Sequence, residues 1–215
     1  MKLVFATGNK GKLREASEIL GAEFELLSSA QAGITEDVEE TGLTLEDNSI
    51  IKAEYIYSRT GMDCFADDTG LEVDALGGAP GVMTARYAGE GCRFEDNMNK
   101  LLAELEGVEN RTARFRSVVT LILGGEKHYF EGVMEGRIAL RKSGHEGFGY
   151  DPVFIPLLSR EEAVQILNDL GLPLSGQEWV DRLGECTVAE MPEEVKNAIS
   201  HRGKALRLMA AWLKK

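Results

Sequence analysis

The stretch ARFRSVVTLIL, Ala113 to Leu123, decides the fold class. It is β-branched and partly alternating, runs into Gly124-Gly125, and is followed by a second extended segment near Lys127 to Met134. That pattern predicts a hairpin with long arms. Toward the N-terminus, Lys2 to Ala6 reads as a short buried strand, followed by a polar, glycine-containing turn and a helix from about Lys12 to Leu20, ended by Gly21. A second helix starts at Thr44, with Asp47 three residues later in a variant of the capping box, and runs to about Tyr57. Cys64 to Ala66 is a minimal strand running into Asp67 and Asp68. Phe94, Met98, Leu101, Leu102 and Leu105 have the spacing of a helix lying on a core, and a last helix is expected from about Glu193 to Leu213. The sum is a mixed α/β fold. No repeat, low-complexity tract or Pro/Gly-rich linker marks a boundary, so residues 1–215 are read as one domain.

Composition narrows the function. With 43% apolar and 28% charged residues the chain is an ordinary globular protein, and no apolar run approaches the roughly 20 residues needed to span a bilayer. The opening MKLVFATGNK has a run of only four apolar residues, too short for a secretory core, which predicts a cytoplasmic protein. Cys64, Cys92 and Cys186 are odd in number and have no metal-ligand spacing, as expected of thiols in a reducing compartment. A net charge of −12 argues against a nucleic-acid surface. An acidic chain binds a small polyanion only where Lys and Arg are concentrated locally and carboxylates hold a cation that turns repulsion into attraction.

Four constellations have that character. Thr7-Gly8-Asn9-Lys10-Gly11-Lys12 lies between strand and helix, where backbone N–H groups and side-chain donors make an anion site, although it lacks the GxxxxGK[ST] spacing of a Walker loop. Ala66-Asp67-Asp68-Thr69-Gly70-Leu71 sets two acids side by side where a strand ends in a glycine turn, a cost that solvent or a cation must relieve. Glu39-Glu40-Thr41-Gly42 repeats the theme and can bring a distant carboxylate to the same cation. In Gly147-Phe148-Gly149-Tyr150-Asp151-Pro152 the glycines leave the faces of Phe148 uncovered for a flat ligand, with Asp151 as an acceptor. Ser200-His201-Arg202-Gly203-Lys204 groups three cations, with Lys196 on the turns before. Each has an everyday structural explanation: a polar turn, an exposed acidic turn, a core aromatic, a solvated helix face.

Their order is more specific. Together they resemble the inosine triphosphate pyrophosphatase family, the non-canonical purine NTP pyrophosphatases, whose motifs are T-G-N-x-x-K, A-D-D-S-G-L-x-V-D-x-L-G-G-A-P-G, G-F-G-Y-D-P and S-H-R-G-x-A. This chain has TGNKGK from Thr7, ADDTGLEVDALGGAPG from Ala66, GFGYDP from Gly147 and SHRGKA from Ser200.

The resemblance implies a magnesium-dependent enzyme that cleaves ITP, dITP or XTP to the monophosphate and pyrophosphate. It implies that Thr7, Asn9, Lys12 and the intervening Gly8, Lys10 and Gly11 hold the triphosphate, with Lys52 and Thr69 as further phosphate contacts. Glu40 and Asp68 would position Mg2+, and Asp68 would orient or deprotonate the attacking water. Phe148, flanked by Gly149 and Tyr150, would stack on the base, while Asp151, Lys196, His201 and Arg202 would read its edge. The family's architecture is an elongated mixed β-sheet with flanking helices and two lobes around a central cleft, usually as a homodimer.

Three departures stand out. Thr69 replaces the usual serine and keeps the hydroxyl; Met83 replaces a usual aromatic; and 157–189 is longer than the family usually has, so it is read as an insertion. Its SREEAVQILNDLGLP has a capped helical pattern, expected to pack as a non-catalytic addition. Two rival readings make different predictions: a Maf-type pyrimidine NTP pyrophosphatase would turn over dTTP and UTP, and a non-catalytic nucleotide sensor would bind ITP yet release no pyrophosphate.

Overall fold

Strand β1, Lys2–Phe5, runs parallel to β2, Glu25–Ser28, on one side and to β3, Cys64–Val73, on the other, with Val4 opposite Cys64 and Phe5 opposite Phe65. The computed structural model describes residues 1–91 and 93–215, so Cys92 lies outside the described residues. Further strands are β4, Pro80–Gly81, β5, Thr112–Leu123, β6, Glu126–Ile138, and β7, Phe154–Pro156. Their hydrogen-bonded order is β2-β1-β3-β5-β6-β7, with β4 antiparallel to β3 and β7 antiparallel to β6. This is the mixed α/β class expected. The hairpin is present with a longer second arm than anticipated, and Gly124 and Gly125 take the positive φ its tight turn requires.

The helices are fixed by their caps. Asn9 accepts from the backbone N–H groups of Gly11 and Lys12 and starts α1 at Lys10, so the helix is Lys10–Leu20 and takes in part of the polar turn. Thr44 accepts from Asp47 N–H and starts α2, Leu45–Thr60, which Gly61 ends in the left-handed conformation. Helix α3 is Phe94–Glu104. Ser159 and Glu162 form the capping box of α4, Arg160–Asp169, and a short α5, Glu178–Asp181, follows.

Two expectations are corrected. The acidic pair does not lie beyond a strand: β3 continues through Asp67, Asp68, Thr69 and Gly70 to Val73. Local turn propensity loses there to the sheet: residues 67–70 lie between the β1 pairing at Cys64 and Phe65 and the β4 pairing at Leu71 and Glu72. The last helix is two, α6, Glu193–Ile199, and α7, His201–Leu213, because Ser200 leaves the helical region and accepts from Gly203 N–H as a new N-cap.

The chain forms two compact units. Unit 1 is Met1–Thr69, Arg116–Val133 and Ser200–Lys215; unit 2 is Gly70–Phe115 and Met134–Ile199. In unit 1, Leu3, Phe5 and Phe65 pack with Leu20 of α1 and Leu206 and Met209 of α7, and a second cluster forms around Val4, Ile56 and Ile122. Unit 2 has its own core, in which Leu101, Phe154 and Ile138 meet Leu167, Trp179 and Val188 from the 157–189 segment. That segment is therefore folded into a core. Among the described residues no helix is long and apolar enough to cross a membrane.

Candidate active site

Consecutive strand residues face opposite ways, so β3 presents Asp67 and Asp68 to different surroundings. Both are buried, at 2% and 8% exposure. Lys12 Nζ donates to Asp67 Oδ1 and Oδ2 at 3.1 and 3.2 Å, and Arg202 Nε donates to Oδ2 at 2.9 Å. Arg202 Nη1 in turn donates to Glu15 Oε2 at 2.6 Å. Asp68 accepts instead from Lys52 Nζ at 2.7 Å and Asn48 Nδ2 at 3.4 Å. The same Lys52 ammonium donates to Glu40 Oε1 at 2.8 Å, and Asn48 Oδ1 accepts from Gly42 N–H at 2.8 Å. Asn48 thus ties the Glu39–Gly42 segment to Asp68.

The two environments push the acids apart. Burial would raise Asp67, but Lys12, Arg202 and Lys52 outweigh it and hold the carboxyl far below the ordinary range. For Asp68 burial wins: it is raised above a free aspartate despite Lys52, with Glu40 and Asp67 pushing the same way. Burial works against the Lys52 ammonium, yet Asp68, Asp67 and Glu40 together raise it. Lys12 is lowered, by burial that Asp67 does not fully offset. The two neighbouring carboxyls therefore shift in opposite directions, Asp67 down and Asp68 up.

A cavity of ≈ 700 Å³ in unit 1 has Thr7, Gly8, Asn9, Lys12, Glu40, Lys52 and Asp67 among its walls; Asp68 is joined to that lining through Lys52. Asn9 N–H donates to Thr7 Oγ1 at 3.1 Å, so the loop's own side chains brace it. A Cβ on Gly8 would meet nothing within 4 Å, which leaves that backbone open to close approach. Thr69 Oγ1 donates to Ser117 Oγ at 3.2 Å.

Unit 2 holds the aromatic loop. Phe148 is 48% exposed, and the Lys196 ammonium lies 4.6 Å from its ring centroid. Asp151 Oδ2 accepts from Phe148 N–H at 2.9 Å and from Lys196 Nζ at 2.5 Å. Gly147 has φ +79, and a Cβ there would run into the Asp151 carboxylate and the Lys196 ammonium.

Several expected site residues have other occupations. Tyr150 is 3% exposed, belongs to the unit 2 core and donates its hydroxyl to Thr84 O. Arg202, expected at the base edge, is 3% exposed and binds Asp67 and Glu15. His201 opens α7 and is partly exposed, as are Lys10 and Gly11 in α1's first turn to a greater degree. Sequence reading missed Asn48 and Glu15 as partners; both sit inside helices, and only the spacing of Asn48 four residues before Lys52 places it on Lys52's face. Cys64 and Cys186 are buried, and burial pushes their thiols up to about 12 and about 11, in keeping with no chemical role.

Comparison with known proteins agrees with the motif order. A family model described as the Ham1 family matches residues 3–169 and 179–212, leaving only 170–178 unmatched inside the segment read as an insertion. A dITP/XTP pyrophosphatase of Flavobacterium johnsoniae is 46% identical over 207 residues, 96% of this chain and 95% of that protein. One from Porphyromonas gingivalis is 45% identical, covering 99% and 97%. Among solved structures, the Staphylococcus aureus Ham1 protein superposes with a TM-score of 0.81 at 34% identity, over 100% of this chain and 98% of that one. With a family model spanning nearly the whole sequence and relatives this similar over their full length, the chain belongs to the Ham1 family.

Proposed function

We propose that this protein hydrolyses non-canonical purine nucleoside triphosphates, dITP, ITP and XTP, to the monophosphate and pyrophosphate. The observation that carries the reading is a cavity walled by Lys12, Lys52 and Glu40, in which the Lys52 ammonium is bonded to both Glu40 and Asp68. Attack on the α-phosphorus must bring water to a polyanion and stabilise charge growing on the departing pyrophosphate. Lys12 and Lys52 bind and orient the phosphates, the braced Thr7–Lys12 loop admits them closely, and Asp68 orients the water and takes its proton.

Glu40 and Asp68 suit magnesium. Their oxygens converge on a single ammonium, Lys52, which already occupies a cation's place between two carboxylates. Oxygen donors from one or two carboxylates, completed by substrate phosphates, are the usual magnesium set. When bound, the ion supplies positive charge that offsets the polyphosphate's own and favours ionisation of water.

For the base, Phe148 offers a stacking face, Lys196 a donor to O6, and Asp151 an acceptor for N1–H. Arg202 is left out of this assignment, because it is buried against Asp67 and Glu15. Adenine presents a donor at position 6 and an acceptor at N1, so it mismatches both groups. Each unpaired buried group costs about 1 to 3 kcal/mol, which places ATP roughly 10² to 10⁴ below ITP in kcat/KM. Turnover of ITP, XTP, GTP and ATP tests this; ATP within fivefold of ITP would overturn the base assignment. The reading includes a cytoplasmic homodimer, supported by the unpaired thiols and by the family resemblance.

A further inference from the structure

The loop from Ser143 to Asp151 is closed on itself and then fastened to one short turn. Ser143 N–H donates to Pro152 O at 2.8 Å, joining the loop's two ends. A 3₁₀ turn, Val188–Glu190, follows Thr187 in a capping box in which Glu190 accepts from Thr187 N–H. Thr187 is 1% exposed, and its hydroxyl donates to Ser143 O at 2.8 Å. The Ser143 side chain bonds Glu190, which Arg182 Nη1 holds at 2.7 Å. The backbone N–H groups of His145 and Glu146 both donate to Ala189 O, at 3.2 and 3.1 Å. Gly144 has φ +82, and a Cβ on it would strike the Ala189 backbone, so the loop and the turn lie in close contact.

The bonds between loop and turn fall on Ser143, His145 and Glu146, the flank leading to Phe148. A loop of this length held at its ends alone samples many conformations, whereas a stacking platform must be ordered before its ligand arrives, because ordering it on binding weakens affinity. The turn supplies that order. It also leads within a few residues to α6, which carries Lys196, so one segment fixes both the flank of the loop and the cation over its ring.

We propose that Thr187 is a positioning residue for base recognition: by holding Ser143 it sets the 143–151 loop on which the purine is read. The inference rests on the assignment of that loop to the base. It gives the end of the 157–189 segment a role in specificity, while Thr187 itself touches no reacting atom.

Thr187→Val keeps shape and burial but leaves Ser143 O without its donor, and Thr187→Ser keeps the hydroxyl. The expected result for Thr187→Val is a KM for ITP raised about tenfold with kcat within about threefold, and unchanged inhibition by inorganic pyrophosphate. Thr187→Ser should restore a near-normal KM. Phe148→Ala, measured alongside, separates the two ideas. If it raises KM and Thr187→Val does not, the positioning role is wrong and the base assignment stands. If Phe148→Ala leaves KM unchanged, both fall. Should Thr187→Val not fold, Thr187→Ala removes the same hydroxyl; a KM raised about tenfold and restored in Thr187→Ser supports the proposal, and an unchanged KM overturns it.

Discussion

The Lys52 ammonium stands 2.7 Å from Asp68 Oδ1, and that contact joins α2 to β3 beside the cavity of unit 1. Glu40 reaches the same nitrogen, so a residue with no local signal beyond an acidic turn is brought to the acid that sequence alone places at a strand's end. Asp68 is raised by burial and Asp67 is held down by its cations.

Asp68→Asn keeps the shape of the side chain but loses its charge and its capacity to accept a proton. Loss of a general base is typically worth about 10² to 10⁴ in rate. Steady-state kinetics with ITP should show kcat falling by that order and KM changing much less; a kcat within tenfold of the natural protein would remove Asp68 from the chemistry.

Asp67→Asn should act on the fold first. Arg202 and Lys12 would lose the carboxylate they share, and breaking a buried ion pair typically costs about 3 to 5 kcal/mol. Denaturant unfolding checks this. The pH dependence has a definite sign: because the folded carboxyl is depressed, its stabilisation is complete above the unfolded value of 3.8 and is lost as pH falls below it. The Asn variant should lack that acid-linked loss, and equal stability of the two proteins at neutral pH would contradict the assignment.

Gly147→Ala tests the base side alone. The alanine must adopt φ near +79 and drive its Cβ toward the Asp151–Lys196 pair. An increase of about tenfold in KM for ITP is expected, with kcat and pyrophosphate inhibition nearly unchanged. A variant that loses kcat at unchanged KM would place this loop in the chemistry instead.

Much of this was legible because it is local. Thr44, Gly21 and the apolar spacing of α3 announce their helices, and Gly124-Gly125 announces the hairpin. The misreadings come where a local preference met a tertiary one. Asp67-Asp68-Thr69-Gly70 has turn chemistry but stays extended within β3, whose pairings with β1 and β4 lie just before and just after it. Ser200 caps a new helix inside a pattern whose Leu206–Leu213 periodicity reads as continuous. Motif residues named candidates for the site but not their partners: Glu15 meets Arg202 across 187 positions, and no spacing rule links them. Tyr150 sits in a motif beside Phe148 yet faces the core, since adjacent loop residues need not share a side.

The proposed reaction stands or falls on cleavage of the anhydride bond between the α- and β-phosphorus by groups gathered around Asp68 and Lys52. Phosphorus NMR of the products from ITP, with magnesium and after its removal by chelation, reads that bond cleavage without an intermediary. IMP and inorganic pyrophosphate should appear in equal amounts when magnesium is present, and turnover should stop when it is removed. Release of orthophosphate with IDP, or undiminished turnover without the metal, would contradict the assignment.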